Sequence, residues 1–196
     1  DSRIKKILKG LQCSCQDLIM FICASGEKFS FAKEIGVGLV DSAMILSSII
    51  LKDNPKELIF IGSAGSYDKT INIFDIFVSS SAMQIETSFI THNSYTPIYN
   101  KIENVSCETN MIINSSNYIT TDENISNRLL NAGIKLENME FFSILRVAQY
   151  FKIPAFGIFC VTNYCDNNAH NDFIKNHSIA EKYLESYVRD NYGKYF

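Results

Sequence analysis

Arginine is scarce in this chain: Arg3, Arg128, Arg146 and Arg189 are the only four in 196 residues, and none adjoins a glycine turn. The lysines are scattered and the net charge is -3, so there is no basic stripe on which to lay a phosphate backbone. Nucleic acid is therefore not an expected partner. No apolar segment reaches the roughly 18 to 20 residues that span a bilayer, and no charged, apolar and small-residue series of the signal-peptide kind is present. The expectation is a cytoplasmic protein with no membrane partner.

Paired C-x-x-C spacing is missing as well. The six cysteines, Cys13, Cys15, Cys23, Cys107, Cys160 and Cys165, lie mostly in apolar runs and read as reduced core thiols. Cys13-x-Cys15 has no identifiable partner ligands, so neither a metal nor a cofactor is expected. Asn104-Val105-Ser106 matches a glycosylation acceptor, but in an Asn-rich chain without a secretion signal the match carries little weight. Repeats, low-complexity tracts and linkers are absent too. At 46% hydrophobic composition the chain is expected to bury one core in a single domain spanning 1–196.

What is present is an alternation of apolar runs and helical spacings. Ile4, Ile7, Leu8 and Leu11 opposite lysines predict a short amphipathic helix from Arg3 to Gly10. Leu18 to Ala24 reads as a strand buried on both faces, closed by Ser25-Gly26. Gly36-Val37-Gly38 leads into a helix over Val40 to Leu51, with Val40, Ala43, Met44, Ser47, Ile50 and Leu51 at helical intervals, stopped by Asn54-Pro55. Strands are expected over 58–61, 71–85, 104–113 and 155–162, with a polar loop over 92–100. Helices are expected from the Thr121-Asp122-Glu123-Asn124 cap to Ala132, over 140–151 and over 172–187. This order implies an α/β protein with a mostly parallel or mixed sheet covered by helices.

Four places carry candidate chemistry. The run Leu58-Ile59-Phe60-Ile61 breaks into Gly62-Ser63-Ala64-Gly65-Ser66, read either as a change of direction or as a turn that brings backbone N–H groups to a small polar ligand. Glu140, after Asn138-Met139, either complements the dipole of its helix or accepts from two adjacent hydroxyls, as a ribose diol presents. Asn163 and Asp166 follow the last strand, as an ordinary turn or at the strand ends where open α/β sheets bind ligands. Tyr118, after Ser115-Ser116-Asn117, either joins the core or stacks on a planar base. A Cys165/His170 nucleophilic pair rests on proximity alone, and His92 and His177 read as surface residues.

Taken in order, Gly36-Val37-Gly38, Gly62-Ser63-Ala64-Gly65, Ile73-Phe74-Asp75, Asn138-Met139-Glu140 and Val161-Thr162-Asn163 resemble the purine nucleoside phosphorylase and nucleosidase superfamily, from about Leu18 to Tyr187. The resemblance implies a single-domain three-layer α/β/α sandwich with a central mixed, partly barrel-like sheet, and a homo-oligomer. It implies that Glu140 holds the ribose hydroxyls, Met139 packs on the sugar, Tyr118 stacks on the purine and the Ile119 backbone meets the base edge. Gly62, Ser63 and Gly65 would flank the nucleophile, water or phosphate, and Asn163 would stabilise the departing purine, with Asp166 as an alternative. Glu27 lies near the water-activating carboxylate of nucleosidases, although Lys28 competes for that register.

Two departures refine the expected substrate. Relatives acting on 6-aminopurines carry Asp where this chain has Asn163, and an amide offers both a donor for O6 and an acceptor for a protonated N7. An unmade buried hydrogen bond costs about 1 to 3 kcal/mol, so a 6-oxopurine nucleoside is expected over adenosine. Phosphorylases of the family place an arginine two residues before the first glycine of the turn, where this chain has Phe60. Cleavage by water is thus expected over phosphorolysis. The alternatives are a phosphate-dependent phosphorylase and a non-catalytic nucleoside- or base-binding protein, the latter because the segment between the first strand and Gly36 is short.

Overall fold

The computed structural model describes residues 19–104 and 111–195. The helix expected over 3–10, three of the cysteines (Cys13, Cys15, Cys107) and the Asn104-Val105-Ser106 triplet beyond its first residue lie outside the described residues. Among the described residues nine strands form one mixed sheet: β1 (Ile19–Cys23), β2 (Lys33–Glu34), β3 (Glu57–Ser66), β4 (Ile76–Ser79), β5 (Ser81–Met83), β6 (Lys101–Glu103), β7 (Ile112–Asn114), β8 (Leu136–Glu137) and β9 (Ala155–Tyr164). The helices are α1 (Gly38–Asp53), α2 (Thr87–Ile90), α3 (Glu123–Asn131), α4 (Phe141–Phe151) and α5 (Ala169–Tyr192).

β3 is the hub of the sheet. It pairs in parallel with β1 through Ile61 and in parallel with β9 along nearly its whole length, and its last two residues pair antiparallel with β8. Because successive strand side chains alternate faces, Leu58 and Phe60 join Ala155, Phe159 and Val161 under α1 and α4, while Ile59 and Ile61 join Phe156, Ile158 and Cys160 under α5. The sheet is therefore covered on both sides, in three layers. A smaller cluster of Tyr67, Ile85, Leu129, Ile134 and Cys165 seats α3.

The glycines of β3 and β9 are packing devices. Phe60 lies opposite Gly157 and Gly62 opposite Phe159. A Cβ on Gly62 would stand 2.8 Å from the Phe60 ring, and one on Gly157 would stand 2.5 Å from Phe159 and 2.7 Å from Phe141. The two missing side chains make room for three fully buried phenylalanine rings with centroids 4.9 to 6.1 Å apart.

Several expectations need correction. The segment 62–66 is not a turn that ends a strand; it continues β3 to Ser66, because β9 pairs with it throughout. The strand expected over 71–85 is two short strands, since the Asn72 N–H donates to the Asp75 carboxyl and Phe74 takes a left-handed φ of 74°, making 72–75 a turn. Of the strand expected over 104–113, only Ile112 and Ile113 are extended among the described residues. In α1 the buried stripe is Gly38, Ser42, Leu46 and Ile50, whereas Val40, Met44 and Leu51 are exposed. No helix among the described residues is long and apolar enough to cross a membrane.

Gly157→Ala should destabilise the fold by about 1 to 3 kcal/mol through overpacking against Phe159 and Phe141. In urea unfolding the midpoint should fall while the slope stays constant.

Candidate active site

The sheet leaves a gap beside β3. β1 stops opposite Ile61 and β8 begins opposite Gly65, so the stretch between them has no strand neighbour on that edge. Two side chains meet its polar groups instead. Glu27 Oε1 accepts from the Ser63 N–H at 3.0 Å and from Ser63 Oγ at 2.9 Å, and Asn138 Nδ2 donates to the Ser63 carbonyl at 3.1 Å. Neighbouring strands that part in this way open a crevice at the carboxyl ends of an α/β sheet. Here the crevice is a cavity of about 460 Å³, within the usual range for small-molecule sites.

Local chemistry brings each wall into place. Gly26, at a φ of 103°, turns the chain after β1 so that Glu27 points back over Ser63, 7% exposed. Glu27 Oε2 is buried, and its one close polar neighbour among the described residues is His177 Nε2 on α5, 3.1 Å away and within ion-pair range. That contact raises the His177 imidazole above its ordinary value, with burial opposing. Asn138 Oδ1 accepts from the N–H groups of Glu140 and Phe141, both at 3.0 Å, and so caps α4. The cap leaves Glu140 at the helix entrance, where its Oε1 accepts from the Gly38 N–H at 2.8 Å. Gly38 is required there: its φ is 78°, and a Cβ would stand 2.8 Å from Asn117 Oδ1. Burial pushes the Glu140 carboxyl up to about 7.

At the far end, the β3–β9 register slips by one residue between Ala64 and Gly65, leaving Thr162 as the extra residue of a bulge. The bulge swings Asn163 to the cavity wall. Its Oδ1 accepts from Thr162 Oγ1 at 2.9 Å and its Nδ2 donates to the Tyr164 carbonyl at 3.1 Å. Each atom keeps capacity for one more partner. Tyr118 and Ile119, 76% and 50% exposed, stand at the mouth.

The cavity thus gathers Glu27, Ser63, Gly65, Tyr118, Ile119, Met139, Glu140 and Asn163 from distant parts of the chain. Two expected site residues are not among its walls. Gly62 is committed to the Phe60 ring, and Asp166 turns away toward Lys69, 3.5 Å off, and the Asn168 N–H. Cys165 is buried, and burial pushes its thiol well above the ordinary value, which disfavours the thiolate that a Cys165/His170 pair would need.

Sequence reasoning missed one wall. Ala169, His170, Phe173 and His177 of α5 line the cavity, and His177 is no surface residue. Their positions follow helical spacing, which was the available signal. Glu137, also lining the cavity, accepts from Tyr67 OH at 2.6 Å and from the Thr120 N–H at 3.1 Å, and burial raises it. Glu27, His177 and Glu181 place ligand-type atoms within 4.8 Å of one another, a cluster that sequence spacing did not reveal. Neither lysine nor arginine lines the cavity among the described residues.

Residues 16–190 match the family model described as Phosphorylase superfamily. No curated protein sequence matches the chain. The fold is similar to that of a futalosine hydrolase mutant of Helicobacter pylori, with a TM-score of 0.74 at 17% identity over 87% of this chain and 96% of that one. It is similar to a Helicobacter pylori methylthioadenosine/S-adenosylhomocysteine nucleosidase mutant with 5'-methylthioadenosine in the active site: TM-score 0.72, 18% identity, 88% and 98% coverage. A Streptococcus pyogenes S-adenosylhomocysteine nucleosidase gives 0.72 at 15% identity, with 89% and 95% coverage.

The raised Glu140 carboxyl has a consequence for stability. The fold favours its protonated form, a contribution complete below about 4.5 and lost as pH rises through about 7. Urea unfolding from pH 5 to 8 should show wild-type stability declining relative to Glu140→Gln, by on the order of 2 kcal/mol.

Proposed function

This chain belongs to the phosphorylase superfamily, and from that membership we propose that it cleaves the N-glycosidic bond of a purine nucleoside, with water rather than phosphate as the nucleophile. The observation that carries the reading is the meeting of Glu27, Ser63, Glu140 and Asn163 in one cavity whose described walls hold no lysine or arginine. A phosphate dianion would find no guanidinium or ammonium there. The fold relatives named as a hydrolase and as nucleosidases support the same choice.

In this reading Glu140 accepts from the ribose hydroxyls, and its buried carboxyl must be ionised to accept from both. Met139 packs against the sugar and Tyr118 covers the base. The C1′–N bond breaks with its electron pair passing to the purine, and positive charge develops on the sugar. Asn163 donates to the departing base and stabilises that charge separation, from a buried setting where hydrogen bonds act strongly. Water enters beside Ser63 and bonds to C1′, while the Glu27 carboxylate, held by Ser63 on one oxygen and His177 on the other, takes its proton. Two hydrogen bonds from Ser63 to Oε1, with His177 Nε2 3.1 Å from Oε2, hold the carboxylate in a fixed orientation.

Substrate choice follows from Asn163. Its remaining N–H matches the O6 acceptor of a 6-oxopurine and would face an amino group in adenosine. Although two of the fold relatives are named for adenosine-type substrates, the amide favours inosine or guanosine here.

Incubation with inosine, guanosine, adenosine and methylthioadenosine, with and without phosphate, tests this by chromatography of free base. Base should appear without phosphate, from inosine about tenfold faster than from adenosine. Release only with phosphate would mean phosphorolysis, and ligand-induced thermal stabilisation without release would mean a binding protein. Glu140→Gln should lower turnover about a hundredfold, and unchanged turnover would overturn the ribose assignment. Asn163→Asp should erode the preference for inosine.

A further inference from the structure

We infer that His177 is a positioning residue for the proposed hydrolysis: the C-terminal helix α5 holds Glu27 in place through it, and it supplies a positive charge beside that carboxyl. The inference rests on the hydrolytic reading above and adds to it a residue that acts through Glu27 without touching the substrate.

The geometry has three parts. First, Glu27 has no strand to hold it, because it lies beyond the end of β1 on a turn opened by Gly26. Ser63 fixes one of its oxygens, and the other faces His177 Nε2 at 3.1 Å. Second, α5 grips the same turn again one helical turn further on, where Glu181 Oε1 accepts from the Lys28 N–H at 2.7 Å. Two adjacent residues of the turn are thus held from positions i and i+4 of one helix face. Third, the His177 ring is itself seated against Phe173, with ring centroids 4.8 Å apart. These contacts leave the imidazole little freedom to swing away.

Charge gives the contact its purpose. Glu27 and Glu140 share the cavity and repel, and no lysine or arginine stands among its described walls to offset them. A protonated His177 offsets Glu27 and lets two acidic groups work in one cavity. The charged or titratable groups that bear on His177 are Glu27 and Glu181, which favour its protonated form, and Lys28, which opposes it. As pH rises and the imidazole loses its proton, Glu27 loses its partner. The reaction should then slow on the alkaline side.

The test is a pH profile of kcat and KM for inosine with wild type and His177→Gln, which keeps an N–H donor and cannot carry charge. In wild type kcat should fall at alkaline pH. In His177→Gln it should be about tenfold lower at neutral pH, free of the alkaline fall, with KM within about twofold of wild type. Equal kcat in the two proteins, a persisting alkaline fall, or a rise in KM alone would overturn the inference while leaving the hydrolytic reading intact. A wild type that releases no base overturns both. Should His177→Gln fail to fold, NMR titration of the His177 ring decides: its pKa should fall in Glu27→Gln, and an unchanged value would overturn the pairing.

Discussion

Phe60 can lie over Gly62, and Phe159 over Gly157, only because β3 and β9 run parallel in a register that sets each ring opposite the other strand's glycine. This reciprocal packing, completed by Phe141, fixes the spacing of the two central strands in a dry core where even one added methyl group has no room. The rest of the site is referenced to it. β3 carries Ser63 one residue past Gly62, β9 carries Asn163 four residues past Phe159, and Phe141 pins the first turn of α4 just after Glu140. The functional side chains are thus mounted at the ends of a rigid block of aromatic rings, as precise positioning requires.

The block ends where β1 gives out and β8 has not begun, and there the backbone of β3 would be left without partners. Burying an unpaired peptide group is costly, so Glu27 and Asn138 meet the Ser63 N–H and C=O. Both side chains serve twice: Asn138 also caps α4, and Glu27 also meets His177 with its second oxygen. The cavity is therefore built from the repairs to a gap in the sheet. Acidic groups concentrate there, with the imidazole of His177 3.1 Å from Glu27.

Legibility from the sequence varied with the range of the interaction involved. Helices α3 and α4 were readable because caps and 3.6-residue spacing are local, and the buried strands because continuous apolar runs permit little else. The segment 62–66 was misread because its glycines and serines look locally like a turn, whereas pairing with β9 makes it strand. For the same reason nothing local reveals that Gly62 packs under the Phe60 ring and does not line the cavity. The place of His177 at the cavity is not legible locally, because its partner, Glu27, is 150 positions away in the chain.

By itself, then, the sequence determined the α/β class, most helix and strand positions, and a short set of polar residues at strand and helix ends. It also determined the family through the order of those residues, since order and residue type survive without coordinates. Only the tertiary structure decided which of the polar residues share one cavity, that Asp166 and Gly62 are not among its walls, and that α5 closes the side next to Glu27. Local propensity acts over a few residues. A cavity is made by contacts between residues more than 100 positions apart, such as Gly38 with Glu140 and Glu27 with His177, and those exist only once the sheet has set its register.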